Sequence, residues 1–150
     1  PQSHGFYRFF ALVMTALLIT FNLDHISQTP ETSPHIMAWI FLVLGILLLG
    51  QSIILLWIVG KPVGFWGGTT VLVRLGAYRM IRHPLYVALF CIASSMTLSN
   101  PVPLNMALLA GTSVMLYRAA RLEERANLRK FGSPYGGYIK HSKMFIPFLF

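Results

Sequence analysis

Long apolar runs alternate with short polar segments along the whole chain. Two of these runs are long enough to cross about 30 Å of hydrocarbon at about 1.5 Å per helical residue. A third run opens at a proline, and a fourth stays apolar to about Tyr117 before it becomes charged. The pattern predicts helices at residues 6–23, 36–59, 84–99 and 104–130. We therefore expect an all-α, multi-pass integral membrane helical bundle of about four transmembrane helices, forming one domain over residues 1–150.

The connecting segments carry the residues that end helices. Residues 24–34 include two prolines and no Lys or Arg, and residues 61–82 are rich in glycine, which predicts loops. Phe65 and Trp66 in the second loop are typical of the membrane interface. Gly132 and Pro134 should end the fourth helix, so that residues 131–150 form a tail folded back along the membrane surface.

Composition and charge support a membrane protein with a fixed orientation. Hydrophobic residues make up 55% of the chain, and 12 Lys and Arg oppose 4 Asp and Glu. Every Lys and Arg lies at the start of the first run, between the second and third runs, or after residue 117, which places all of them on one side. By the positive-inside rule this side is cytoplasmic, with both termini. The excess of basic residues therefore indicates the orientation of the chain in the membrane, and we predict no nucleic-acid partner. Because Cys91 is the single cysteine, an intrachain disulfide is excluded.

Some polar residues allow a second interpretation. Asp24, His25, Glu31 and His35 surround the first loop, but their spacing is not that of a metal site, and we predict no metal. Gln51 lies inside the second run, where it either forms a hydrogen bond to a neighbouring helix or faces a ligand cavity.

The densest polar chemistry lies where the third helix begins. Arg82 and His83 directly precede Pro84, and a helix that opens there would direct its free N–H groups towards an anion. Glu123 and Glu124 lie on the emerging end of the fourth helix, about 100° apart around its axis. One carboxylate can therefore face a cavity while the other pairs with an arginine, although a solvated ion-pair surface also fits the spacing.

Several linked motifs resemble the C-terminal signature of one enzyme family. They are Arg82-His83-Pro84-x-Tyr86, Leu122-Glu123-Glu124-Arg125, Phe131-Gly132-x-x-Tyr135-x-x-Tyr138 and Ile146-Pro147-Phe148. The chain from about residue 76 to 150 is similar to the integral membrane methyltransferases related to isoprenylcysteine carboxyl methyltransferase and the phospholipid N-methyltransferases. Ala77, Ala88 and Ser142-Lys143 depart from the family pattern, which often has Pro, Gly and Val-Pro there.

The resemblance implies an enzyme that uses S-adenosylmethionine on the cytosolic side and releases S-adenosylhomocysteine. It implies a lipophilic acceptor from the bilayer, such as an isoprenylcysteine carboxylate, a phospholipid amine or a small lipophilic thiol or hydroxyl compound. The residues expected to bind the cofactor are Arg82, His83, Pro84, Leu85, Tyr86, Glu123, Glu124, Tyr135 and Tyr138. Arg121 is expected to hold an anionic group of the acceptor, and Glu124 or His83 to remove a proton from an amine.

Two other functions remain open from the sequence. An NADPH-dependent membrane sterol or enone reductase would share a related His-Pro motif and a tyrosine-containing tail. A non-catalytic membrane scaffold would use the basic face to attract anionic lipids. The oligomeric state is open as well, because lipid-facing and partner-facing helix surfaces have the same composition.

Overall fold

A computed structural model of the protein describes residues 4–27, 33–63 and 69–147. Helices cover most of these residues: α1 (His4–Ile26), α2 (Ser33–Ile58), α3 (Pro84–Ser99), α4 (Pro103–Phe131) and α5 (Ser133–His141), with a 3₁₀ turn at Gly76–Arg79. The all-α class is thus confirmed, and each predicted run corresponds to a helix, although α2 ends one residue earlier than predicted. Glu31, Phe65, Trp66 and Phe148, which the sequence analysis singled out, lie outside the described residues.

The first two helices have the properties of membrane spans. Within the described residues, α1 and α2 are the helices long and apolar enough to cross a bilayer, and α3 is a shorter apolar helix. Leu47, Ile54 and Ile58 on α2 are each more than half exposed. Large apolar side chains on an outer surface are suited to contact with lipid.

The bundle is organised around α3, which packs against α1, α2 and α4. Its buried residues are mostly small, including Ala88, Ala93 and Ser95, so neighbouring backbones can approach closely. Gly45 allows α2 to approach α3 closely, since a Cβ atom there would lie 2.8 Å from Cγ1 of Ile92. In contrast, α1 packs mainly on α4 and barely touches α2.

Hydrogen bonds between polar side chains connect α1, α3 and α4 at the end of the bundle where α1 and α3 finish. The side-chain amides of Asn100 and Asn105 both donate to Oδ1 of Asn22, at 3.0 and 2.7 Å. Gln51, nearer the other end, accepts a hydrogen bond from the Ala77 backbone N–H at 3.1 Å. The hydrogen-bonding interpretation of Gln51 is therefore correct, but its partner is the 3₁₀ turn and not another long helix.

The tail packs on the protein itself, a contact that was not predicted from the sequence. Residues 133–141 form α5, and the segment that follows pairs with the strand-like residues before α3. The N–H groups of Arg82 and His83 donate to the carbonyls of Lys143 and Met144, at 2.7 and 3.3 Å. The backbone donors just before α3 thereby gain partners, and the tail becomes part of the surroundings of the Arg-His-Pro motif.

Candidate functional site

The start of α3 is fixed by its sequence but differs from the expected anion site. Pro84 occupies the first turn, where its missing N–H costs nothing. The N–H groups of Tyr86 and Val87 donate to the carbonyl of His83, at 3.0 and 3.1 Å. Two of the three donors that follow Pro84 are therefore already engaged within the protein, and the anion site at the start of α3 stays a prediction.

Arg82 connects α3, α4 and the tail. Its Nε donates to Oε1 of Glu124 at 2.5 Å, and its Nη1 donates to the Ser142 carbonyl at 2.5 Å. The Arg82 and Glu124 side chains are only 10% and 12% exposed. This ion pair is therefore a largely buried link between elements that are distant in sequence.

A second ion pair faces the interior of the site. Nη2 of Arg8, on α1, lies 2.7 Å from Oε2 of Glu123, and Nε of the same arginine donates to the hydroxyl of Tyr86. The Tyr86 hydroxyl donates in turn to Oε2 of Glu123 at 2.7 Å. The Arg8 and Glu123 side chains are 23% and 25% exposed, so this cluster is more accessible than the Arg82–Glu124 pair.

His83 lies between the two carboxylates. Its Nε2 is 3.5 Å from Oε1 of Glu124, and its Nδ1 is 3.9 Å from Oε2 of Glu123. The ring is stacked on Tyr86 with 5.3 Å between centroids. Among the described residues, Nε2 of His83 is buried and has no hydrogen-bond partner, since 3.5 Å is long for such a contact.

A cavity of about 590 Å³ adjoins these groups. That volume falls in the range of roughly 300–1,000 Å³ typical of small-molecule sites. Its polar lining residues are His4, Arg8, Thr69, Tyr78, Arg82, Tyr86, Glu123, Asn127, Lys130, Tyr135 and Tyr138. Its apolar lining includes Leu12 of α1, Leu49, Ile53, Leu56 and Trp57 of α2, and Leu85 and Leu89 of α3.

Three buried tyrosines form the wall on the tail side. The hydroxyl of Tyr138 donates to the carbonyl of Tyr78, and the rings of Tyr135 and Tyr138 meet edge to face with centroids 5.8 Å apart. Burial raises the pKa of Tyr135 to about 12 and raises the pKa values of Tyr78 and Tyr138 further above the usual value for tyrosine. These phenols are therefore neutral at physiological pH.

Glu123 lies in the charged extension of α4, beyond the apolar part of that helix. Burial by itself would raise the pKa of Glu123, but the Arg8 guanidinium, His83 and the Tyr86 hydrogen bond together lower it to about 2. Burial opposes the shift at Glu124 as well, where the hydrogen bond from Arg82 and the nearby His83 ring lower the pKa. Both carboxylates are therefore ionised near neutral pH.

The structure brings most of the predicted site residues together. Arg82, Leu85, Tyr86, Glu123, Tyr135 and Tyr138 line the cavity, and His83 borders an adjoining pocket of about 50 Å³ that shares Arg8 and Glu123 with it. Pro84 and Glu124 are buried but are not among the lining residues. Arg121 is exposed and lines neither space, so the geometry gives no support to its predicted catalytic role.

Sequence reasoning missed several lining residues. Arg8 was used only as a topological marker, although a single charge at the start of an apolar run could have identified it. Tyr78 stood beside the Arg-His-Pro motif without a predicted role. Asn127 and Lys130 follow Glu123 at i+4 and i+7 on α4, and this helical spacing places the three on one face.

Comparison with known proteins identifies the family of the chain. A model of the phospholipid methyltransferase family matches residues 33–134, from the start of α2 to the start of α5. No curated protein and no solved structure matches the chain. The match covers more than half of the sequence and includes the Arg-His-Pro motif and the glutamate pair. The chain thus belongs to the phospholipid methyltransferase family, and it is an integral membrane methyltransferase that uses S-adenosylmethionine to methylate a lipid acceptor.

Proposed function

We propose that the protein methylates the headgroup amine of a membrane phospholipid in the cavity between α1, α2, α3 and α4. The observation that carries the proposal is the composition of that cavity, in which charged and aromatic groups at one end adjoin an apolar wall of leucines and isoleucine. A water-soluble substrate has no apolar chains that could pack against such a wall. A lipid with a polar headgroup and acyl chains matches both parts.

The polar end suits S-adenosylmethionine by its charges and aromatic rings. The cofactor has a carboxylate, an ammonium, a sulfonium and an adenine ring, and the described cavity offers Arg8, Glu123 and the rings of Tyr86, Tyr135 and Tyr138. Glu123 is the carboxylate of the pair that lines the cavity, so we assign it to the ammonium. The tyrosine rings suit the sulfonium and the adenine.

The apolar wall and a nearby cation suit a phospholipid. Leu12, Leu49 and Ile53 lie on α1 and α2, two helices that barely touch, so acyl chains can reach the cavity between them from the bilayer. Lys130 also lines the cavity, and its ammonium donates to the carbonyl of Thr69 at 2.7 Å. An ammonium bound to a neutral carbonyl keeps its charge available for a lipid phosphate.

When bound, S-adenosylmethionine supplies an electrophilic methyl group on a positively charged sulfur. The protein has to align an acceptor nitrogen with it, exclude water and receive the proton that the amine loses. Glu123 is a weak base, because its surroundings lower its pKa to about 2. We assign the proton to His83, since its buried ring lies between the two carboxylates and has an unpartnered Nε2.

The topology follows from the same charges. We propose that α1, α2, α3 and the apolar part of α4 span the membrane, with both termini and the polar end of the cavity on the cytoplasmic side. The described part of α1 begins at the cavity end with His4, and α4 returns to this end with Lys130. All Lys and Arg residues lie in the segments at this end of the described helices or in the loops beside it.

The test is transfer of a labelled methyl group by the purified protein in vesicles. One arm contains phosphatidylethanolamine, a second contains only phosphatidylcholine, and others add a prenylated cysteine or a lipophilic thiol. We expect label in the lipid of the first arm alone. Label in the prenylated cysteine or the thiol, with none in phosphatidylethanolamine, would show that the acceptor is wrongly assigned.

A variant of His83 tests its proposed role as the base. His83→Asn should lower the rate of methyl transfer at least tenfold with little change in S-adenosylhomocysteine affinity. Arg125→Gln is the matched control, because Arg125 is exposed and lies on the same helix as Glu123 without lining the cavity. A His83→Asn variant that is as active as the control would exclude His83 as the base.

A further inference from the structure

The two ion pairs of the site differ in their exposure and in their additional hydrogen-bond partners. The Arg82–Glu124 pair is nearly buried, and the Arg82 guanidinium also donates to the tail carbonyl of Ser142. The Arg8–Glu123 pair is about twice as exposed, lines the cavity and has Tyr86 as its further partner. The first pair is therefore a structural link, whereas the second is open to exchange with a ligand.

An α-amino acid group carries its ammonium and carboxylate on a single carbon, so its receptor needs opposite charges a few ångströms apart. Nη2 of Arg8 and Oε2 of Glu123 are 2.7 Å apart on the cavity wall. A guanidinium has five N–H donors, and the contacts described here use those on Nε and Nη2. A carboxylate can therefore bind Arg8 beside Glu123 without leaving either charge unpaired.

We propose that Arg8 binds the carboxylate of the cofactor while Glu123 takes its ammonium, so that the amino acid end of the cofactor joins the Arg8–Glu123 pair. This inference rests on the proposed function, since it assumes that the cavity holds S-adenosylmethionine. It makes α1 part of the cofactor site. Residues 33–134, which match the family model, do not include α1, so the match itself assigns nothing to Arg8.

Arg8 fits this task better than the residues predicted from the sequence. The N–H groups of Tyr86 and Val87 are engaged by the carbonyl of His83, and Arg82 is bound to Glu124 and to the tail. The Arg82 side chain is also only 10% exposed, against 23% for Arg8, so its remaining donors are less accessible to a carboxylate in the cavity. Binding to Arg8 requires only a rearrangement of the more exposed cluster formed by Arg8, Tyr86 and Glu123.

The test measures S-adenosylhomocysteine affinity by titration calorimetry on the full chain in detergent or nanodiscs. Two analogues are compared with it: one lacks the carboxylate and the other lacks the amine. For the parent protein we expect each deletion to weaken binding about tenfold or more, as is typical of a charged hydrogen bond. In Arg8→Gln the penalty for loss of the carboxylate should disappear, while the penalty for loss of the amine remains.

Glu123→Gln should show the reverse pattern, and Arg125→Gln should match the parent in both comparisons. Arg8→Lys keeps the charge and should retain part of the carboxylate penalty, which provides a second variant if Arg8→Gln does not fold. The inference is overturned if Arg8→Gln loses as much affinity as the parent when the carboxylate is removed. It is also overturned if Arg8→Gln binds S-adenosylhomocysteine normally and only the KM for phospholipid rises, since Arg8 would then serve the acceptor. If the parent does not bind S-adenosylhomocysteine at all, the proposed function itself fails.

Discussion

The Arg82–Glu124 link should be worth more to stability than any exposed ion pair of the protein. Arg82→Gln removes the donor to Oε1 of Glu124 and the donor to the Ser142 carbonyl, both at 2.5 Å. The carboxylate of Glu124 is then left 12% exposed beside an uncharged side chain. We expect this variant to be markedly less stable than the parent.

The expected loss of stability in Arg82→Gln follows from the burial of the ion pair. Removal of one partner from a buried ion pair typically costs about 3–5 kcal/mol, whereas exposed pairs contribute about 0–1 kcal/mol. With about a tenth of each side chain exposed, Arg82→Gln should cost about 3 kcal/mol. For a chain of 150 residues this corresponds to a decrease in Tm of roughly 6–12 °C.

The assay is thermal unfolding in detergent of Arg82→Gln, Glu124→Gln and the double variant. The double variant leaves no unpaired charge, so it should lose about 2 kcal/mol less than the sum of the single changes. Arg79→Gln is the control, because Arg79 is exposed three residues before Arg82, and its Tm should not change measurably. Strictly additive losses, or an Arg82→Gln variant as stable as the control, would refute the view that this pair joins α3 to α4.

Two further predictions concern packing and pH. Gly45→Ala should destabilise the protein by about 1–3 kcal/mol in chemical denaturation, because its Cβ would lie 2.8 Å from Ile92 and 3.1 Å from the Ala88 carbonyl. Gly50→Ala, whose Cβ meets nothing within 4 Å, should be neutral or stabilising, and equal losses in the two variants would contradict the proposed α2–α3 contact. Stability should also fall as pH rises from about 10, where an unfolded-state tyrosine ionises, towards about 12, where Tyr135 does so in the fold. Tyr135→Phe should reduce this alkaline loss by about 1–3 kcal/mol in pH-dependent melting curves, and an unchanged pH profile would show that Tyr135 is not held neutral by burial.

The helices could be predicted from the sequence because lipid imposes a strong and local requirement. A span must be apolar over its whole length, so the runs at residues 6–23 and 36–59 are recognisable without knowledge of their neighbours. Helix ends were less certain: α1 continues to Ile26, through residues assigned to a loop. A few polar residues can extend a helix beyond the apolar run, and the hydrophobic pattern contains no signal for them.

The tail was harder to predict, because its structure depends on partners distant in sequence. Residues 142–147 have neither a long apolar run nor a regular period, and they become ordered by pairing with residues 80–83. Such backbone pairing leaves no pattern in either segment alone. The motif at Arg82 indicated that the region was important, but not that Arg82 would be used to hold the tail.

The glutamate pair could be predicted only in part from its motif. A rotation of about 100° per residue required that Glu123 and Glu124 face different directions, and the structure agrees. Which of them faces the cavity depends on where the arginines lie, and the arginine that settles it is Arg8, more than a hundred residues away. From the sequence either Glu124 or His83 was the expected base, and Arg8 was not recognised as the partner of a carboxylate. Since Glu124 is held by Arg82, and Glu123 by Arg8, each carboxylate has its own cation, and for this reason we propose that the imidazole of His83 between them accepts the proton.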